Sequence, residues 1–481
     1  MSNLGYQAVL GAFLEDERFD ARRVFWEGQK PEFPDGGRTL GDFDAVALSV
    51  SYQPDMVHLP RLLETVRARR SGSQTTPLLI AGGVAVTINP ETVSDLFDLI
   101  VLGDAEPVLP LLMDGLASGE DPDSLLDRLV EVPGIYIPSR FGHYPSPDSQ
   151  YQLPSPLQGM PRRLTPSVLP DLSARPARPA VITDGSEFGR LYLLEVSRGC
   201  PAGCLFCAAG TACGPVRFLG MEAFVAEAER GLKYRKTIGL VGTAVSYHPH
   251  LEAMAGFLLD RGGSFSPSSI RAEKVTPRLA ELLVRAKHKT VSLAPEAGTR
   301  SLRASIGKDL TDEQFLTRAD ILLQAGIPNL KLYFMVGLPG ETNSDITGIV
   351  ELVMKLKDRM MHWGRPRGRV GSVTVSVNPF VPKPRTALER APVATETVLK
   401  ERMRRVRAKL GSAGNILVQT GSVRRAYLDA LLSLGDRTVA DVLDKLPAAG
   451  VSLKRLIKIY PAAEQVLFGR ESGELPWHFI K

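Results

Sequence analysis

Cysteine is scarce, with four in 481 residues. That excludes a disulfide-stapled scaffold, which needs several bridges in a short chain. Long apolar runs are missing too. No stretch reaches the roughly 18 consecutive apolar residues of a membrane span. The start, Met-Ser-Asn-Leu-Gly-Tyr, has no basic region followed by an apolar core, so no secretory leader is expected. There is no internal repeat, no aromatic platform for stacking bases and no recognised RNA-binding module. Neither sign of charge dominates: 58 Lys and Arg against 53 Asp and Glu leave +5, which permits an anionic partner without arguing for one. What remains is ordinary globular composition, 44% hydrophobic and 23% charged, at a length that suggests two or three domains.

The placement of the four cysteines matters more than their number. All lie between residues 191 and 217. An apolar run, Leu191 to Val196, reads as a buried strand entering a loop. The loop carries Cys200, Cys204 and Cys207 in a C-x3-C-x2-C spacing, and Cys213 follows. Thiols gathered this closely point to a metal site. Three readings of the loop stand: a disulfide pair, a structural zinc site closed by four ligands, and a [4Fe–4S] cluster held by three thiolates with one iron open. Unpaired thiols and an oxygen-sensitive cluster would fit a reducing cytoplasm.

A strand running into this spacing, with Phe206 just before the third cysteine, resembles the radical S-adenosylmethionine (radical SAM) superfamily. The resemblance implies that Cys200, Cys204 and Cys207 ligate a [4Fe–4S] cluster. Its open iron would chelate SAM, and one electron would cleave SAM to methionine and a 5′-deoxyadenosyl radical. Cys213 falls outside the triad, as a resting-state ligand or a hydrogen donor to a substrate radical. Gly199, Gly203, Ala208, Ala209 and Gly210 would let the backbone wrap close to the cluster.

From Phe188 the chain keeps a strand–helix rhythm. Strands are expected at 238–241, 269–272, 290–294, 330–336 and 372–377, with helices at 221–234, 248–261, 277–287, 312–325 and 344–359. With the first strand this makes six, a partial (β/α)6 TIM-type barrel whose site lies at the C-terminal strand ends. The resemblance then assigns roles there. Gly242 and Thr243 stand where the family's Gly-Gly-Glu meets the methionine amine, although the acid is missing. Arg271 would pair with the SAM carboxylate, Glu296 would accept the ribose hydroxyls, and Arg300 lies one turn on. Val336 and Gly337 would pack on the adenine. Lys331 and Tyr333 read as core-lining, and Glu341 as an acid at a helix N-terminus.

The first 120 residues read as an α/β unit: strands at 4–11, 22–26, 44–50, 77–81 and 99–102, and helices at 59–69, 90–97 and 107–116. Such alternation suggests a parallel, doubly wound, Rossmann-like sheet. Leu48-Ser49-Val50-Ser51, Ile80-Ala81-Gly82-Gly83 and the Gly103-x-x-Glu106 turn resemble a cobalamin-binding domain, which implies a corrinoid near Ser49, Ser51, Gly82 and Gly83. The Asp-x-His-x-x-Gly loop that ligates cobalt in many such domains is absent, and no histidine precedes His58. The alternative is a Rossmann-like scaffold without corrinoid.

One more strand is suggested at 134–138. Nine prolines between 145 and 179 forbid a helix or central strand there and suggest an extended linker docked between domains. Beyond Pro392 the pattern turns helical, with Lys400, Arg402, Arg404, Arg405, Arg407 and Lys409 on helix 397–410. That helix is either a solvated face or a contact for nucleic acid or an acidic protein. The expected division is 1–120, 121–185, 186–392 and 393–481. The resemblance implies a radical SAM enzyme, in its cobalamin-dependent form a methyltransferase acting on an unactivated carbon and reduced by a flavodoxin- or ferredoxin-like donor. The rivals are a corrinoid-free radical SAM enzyme and a zinc-stabilised binding protein. The substrate would be a small molecule or a peptide.

Overall fold

The computed structural model describes residues 3–27, 30–36, 39–64, 66, 76–469 and 472–481. Sixteen strands are found in them: β1 (Phe25–Glu27), β2 (Lys30–Glu32), β3 (Ala45–Ser49), β4 (Leu78–Gly82), β5 (Leu99–Val101), β6 (Ile135–Tyr136), β7 (Phe141–Pro145), β8 (Gln152–Pro156), β9 (Leu191–Arg198), β10 (Arg217–Phe218), β11 (Thr237–Gly242), β12 (Ser264–Pro267), β13 (Thr290–Glu296), β14 (Asn329–Val336), β15 (Val373–Pro379) and β16 (Ile416–Thr420).

The N-terminal sheet runs β3-β4-β5-β6, the first three parallel and β6 antiparallel. Its order never reverses. It is therefore wound in one direction rather than doubly, and lacks the switch-point crevice of a doubly wound sheet. One face carries Leu78, Ile80, Leu99 and Val101 onto helices Leu109–Ser118 and Pro122–Leu129. The other buries Val46, Leu79, Ala81 and Ile100 in the main core. Residues 4–14 form a helix, not the expected strand: Asn3 caps it through Tyr6 N, and Leu4, Gln7 and Leu10 recur at helical spacing on its buried face. Of the strand expected at 22–26 only Phe25 and Trp26 pair, in β1. The helix expected at 59–69 is seen as Leu59–Leu62; residues 65 and 67–75 lie outside the described residues. Residues 91–96 form a 3-10 rather than an α-helix.

The proline-rich segment is extended and docked, but it is not featureless. Strands β7 and β8 pair as an antiparallel hairpin, with Pro154 and Pro156 tolerated because the two-stranded unit has only edges. Further on, Ser167 forms a bridge with Gly103 and Leu164 one with Ile480.

Two four-stranded sheets, β10-β9-β11-β12 and β13-β14-β15-β16, form the curved half barrel. Seven of these strands are parallel and β10 is antiparallel to β9. Two expectations need correction. The third barrel strand is Ser264–Pro267, and residues 269–272, expected as that strand, are loop leading into a 3-10 turn. β16 is an added strand inside the region expected to be helical throughout. Its neighbours, Glu396–Leu410, Val423–Leu434, Leu453–Ile459 and Ala463–Phe468, are helices. Four basic residues of the first bond within the chain, Arg402 with Glu341, Arg405 with Asn343, Arg407 with Thr420 and Lys400 with Glu396, while Lys400, Arg404, Arg407 and Lys409 stay exposed. No helix among the described residues is long and apolar enough to cross a membrane.

One main core runs from Leu40 through the barrel to Ile480. Its polar staple is Glu91, fully buried, which accepts from Tyr136 Oη at 2.5 Å and lies 3.2 Å from His143 Nε2. Burial raises the Glu91 carboxyl to about 7, against the opposing pull of Tyr136 and Arg437. A folded-state value above the unfolded one means the native state holds the extra proton, so stability is lost as pH rises from about 4.5 toward about 7. Urea unfolding at pH 5 and pH 7.5 should show that loss, and Glu91→Gln should remove most of it. An unchanged pH slope in the variant would contradict the assignment.

Candidate active site

β9 ends at Arg198, and the chain then makes a tight loop. Gly199 has φ +77°, and a side chain there would run into the carbonyls of Gly214 and Pro215, where the loop crosses its own base. Cys200 and Cys204 are half-buried and Cys207 is exposed; none is in a disulfide. Cys207 N donates to Cys204 O at 3.1 Å, closing a turn. Three outside groups fix the loop. Thr243 Oγ1, just beyond β11, donates to Gly199 O at 2.6 Å. Leu205 N donates to Ile306 O at 3.0 Å, and Leu388 N to Leu205 O at 3.2 Å. Gly307, at φ +79°, approaches so closely that a Cβ would lie 2.7 Å from Gly203 O.

The remaining groups sit at neighbouring strand ends. Arg271 Nη1 lies 3.2 Å from Cys204 Sγ, and its Nε donates to Glu273. Glu296, the last residue of β13, has φ +71°, a left-handed conformation that costs a non-glycine residue energy and marks a constrained position. Its carboxylate pairs with Lys308 Nζ at 3.0 Å, which also donates to Ala294 O at 2.6 Å. Desolvation raises the Cys207 thiol, and Cys204, Cys200 and Glu296 add to the rise. Gly307 and Lys308 were missed from the sequence. Their signal is a Gly-Lys pair just past a short helix, Arg300–Ser305.

Other expected residues fall elsewhere. Arg300 is exposed and pairs with Asp309. The arginine that matters locally is Arg303, 1% exposed, which donates to Ala297 O, Gly298 O and Leu310 O and pairs with Asp312, pinning the loop after β13. Gly242 closes β11 against Ser197, where no side chain would fit. Val336 is buried and accepts from Phe380 N, and Gly337 N donates to Glu341 Oε2 at 2.7 Å. Glu341 does not cap a helix. Burial raises it to about 7, and it ties Gly337 to Arg402, while Thr342 and Asp345 make the capping box of helix Asn343–Gly364.

Cys213 belongs to a different environment. Burial pushes its thiol up to about 11, with Asp104 adding to the rise, and its carbonyl accepts from Arg217. Arg217 and Arg198 both pair with Asp104, at 2.5 and 2.9 Å, and Arg198 also takes Glu106 and Glu195. The Gly103-x-x-Glu106 turn is thereby clamped to the cysteine loop.

Two family profiles match. One, "Radical SAM superfamily", covers residues 194–353; the other, "Radical SAM proteins, N-terminal", covers 30–138. The chain belongs to the radical SAM superfamily. Among curated proteins, the uncharacterized protein MJ0966 of Methanocaldococcus jannaschii is 27% identical over 407 residues, 84% of this radical SAM chain and 81% of its relative. Among solved structures, the radical SAM methyltransferase TsrM from Kitasatospora setae, with tryptophan and a SAM analogue, aligns at 16% identity and TM-score 0.47 over 69% of this chain and 62% of its own. The cobalamin-dependent radical SAM enzyme OxsB aligns at 16% and 0.44, over 64% and 43%. HemN of Escherichia coli aligns at 13% and 0.35, over 47% and 52%. The chain thus spans less than two thirds of each of these solved chains, no score reaches 0.5, and no residue role rests on them.

Among the described residues no three His, Cys, Asp or Glu side chains gather as ligands of a single ion. The donor set still fits an iron–sulfur cluster. Three thiols share one glycine-bearing loop, a guanidinium N–H faces one sulfur, and the fourth cysteine has other neighbours. The strand ends named for a corrinoid make contacts within the chain. Ser51 Oγ accepts from Asn3 at 2.7 Å and pairs with Ser49. A Cβ on Gly83 would lie 2.6 Å from Val50 O. Gly103 is pressed against the Ser167 backbone, and Glu106 is held by Arg198.

Proposed function

We propose that this chain is a radical SAM enzyme that holds a [4Fe–4S] cluster on Cys200, Cys204 and Cys207. The observation that carries the reading is the convergence of that loop with Arg271 and the Glu296–Lys308 pair at adjoining strand ends. Bound there, the cluster would supply the electron that cleaves SAM to methionine and a 5′-deoxyadenosyl radical. The chain's own residues do the positioning. Thr243, Gly307 and the Leu205 backbone hold the loop that carries the thiols. Arg271 donates toward sulfur and thereby stabilises negative charge on the Cys204 side. Gly242 and Thr243 offer backbone groups for the methionine part and Glu296 a carboxylate for the ribose, steadied by Lys308; Val336 and Gly337, both buried, offer the adenine no surface. Cys213, kept as a thiol by burial, is suited to give a hydrogen atom. The exposed Cys207 side is the natural approach for a small one-electron donor.

The corrinoid-free form is preferred, because Ser49, Ser51, Gly83 and Glu106 are spent on contacts within the chain. Anaerobic reconstitution with iron, sulfide, SAM and dithionite tests the reading: iron content should rise together with 5′-deoxyadenosine. A protein that binds zinc in its place and never cleaves SAM would overturn it. Loss of one charge-assisted contact should weaken SAM binding by about tenfold to a hundredfold. That loss is expected in Glu296→Gln and Arg271→Met by equilibrium dialysis; an unchanged dissociation constant in both would remove them from the site.

A further inference from the structure

The concave face of the barrel holds an arrangement that SAM does not use. Along β14, Leu330, Leu332, Phe334 and Val336 are buried in the core under the helices, and the alternate residues Asn329, Lys331, Tyr333 and Met335 face the other way and are half-buried. Lys331 and Tyr333 are therefore not core-lining. Strand register puts Ser292 on β13 and Thr374 on β15 at either side of Lys331, and Ser376 beside Tyr333. Lys331 Nζ sits 4.9 Å from the centre of the Tyr333 ring. Lys331 Nζ, Tyr333 Oη, Ser292 Oγ and Thr374 Oγ1 have no hydrogen-bond or ion-pair partner among the described residues. The two carboxylates on the same face are already taken, Glu195 by Arg198 and Glu296 by Lys308.

We propose that this cluster seats an oxyanion of the substrate, a carboxylate or phosphate, with Lys331 as its anchor. The inference rests on the radical SAM reading of the same barrel and adds a substrate class to it. A half-buried ammonium among hydroxyls, with the carboxylates of its face already paired, is poised for a ligand that brings negative charge. Lysine serves as a point charge, and the neighbouring hydroxyls supply directional bonds. Depth adds a length. Glu296 pairs with Phe334, and Lys331 lies three residues deeper on that strand, which at about 3.3 Å per residue is roughly 10 Å. The anion is held that far below the level of Glu296. The substrate is therefore an elongated molecule, with its anionic end deep in the barrel and its reacting carbon near the cysteine loop.

The test is calorimetric titration of the reconstituted full chain with inorganic phosphate and, separately, with hexanoate. Binding of one and not the other tells phosphate from carboxylate. Lys331→Met should weaken whichever binds by about tenfold or more, Lys331→Arg should keep most of the affinity, and Thr374→Val should lie between. Absence of binding by both anions, or equal affinity in Lys331→Met with its melting temperature intact, would overturn the proposal. If Lys331→Met does not fold, equal affinity in Thr374→Val and Ser292→Ala would overturn it instead. SAM cleavage in the unaltered protein is read independently: its failure would strike the radical SAM activity and leave the anion measurement standing.

Discussion

Cys204→Ala is expected to lose the broad absorbance near 400 nm, roughly where thiolate–iron charge transfer lies, and with it all 5′-deoxyadenosine formation. Cys204 is the most informative of the three. Its sulfur is the one that faces Arg271, and its carbonyl closes the turn to Cys207. Cys200→Ala and Cys207→Ala should behave alike, because each thiolate of a three-ligand cluster holds a different iron. Cys213→Ala should keep its iron, since that thiol sits among Asp104, Arg198, Glu195 and Arg217 rather than with the triad. Normal iron with lost turnover in Cys213→Ala would assign it the hydrogen-donor role. A full iron complement in Cys204→Ala would end the cluster assignment.

Asp104→Ala should cost about 3–5 kcal/mol of stability, the usual penalty for stranding a buried charge. Asp104 is 7% exposed and bonds two arginines together with Leu169 N. Its removal leaves Arg217, itself 8% exposed, without a carboxylate, though its other N–H groups still reach Cys213 O, Leu169 O and Pro215 O. Those carbonyls belong to the segments that bracket the cysteine loop. The variant should therefore lose cluster more readily as well as unfold earlier, read as a drop in denaturant midpoint and faster bleaching in air. Asp104→Asn should recover part of the stability. A midpoint within about 0.5 kcal/mol of the parent, the range of ordinary surface changes, would show that the clamp is dispensable.

The cysteine loop was legible because its spacing is local and its chemistry belongs to one residue type. The barrel strands were legible where an apolar run is bounded by glycine, as in β11 and β14. β12 was misplaced because Ser-Phe-Ser-Pro has only one core-facing residue, Phe265, while Ile270-Arg-Ala a few residues on looks more strand-like. Leu4–Leu14 was misread because a short apolar segment carries no clear period until its cap is seen. β16 alternates weakly, being an edge strand with Leu417 exposed. Arg300 was preferred over Arg303 because sequence distance from the strand does not say which face of a helical turn meets the loop. Lys308 was missed because a helix and a turn intervene between it and Glu296. At the Gly103-x-x-Glu106 turn the sequence could not show that the chain's own Ser167 and Arg198 contact it, because both lie far along the chain.

The bridge between Leu164 and Ile480 bears on how the protein is made. Leu164 N donates to Phe479 O, Lys481 N returns to Leu164 O, and the fully buried Trp477 bonds Glu389. A ribosome finishes residues 164 to 213 well before it emits 475–481, so the nascent cysteine loop waits beside an incomplete core. For the proposed cluster, access to the loop would be widest before residues 475–481 dock against Leu164 and Glu389.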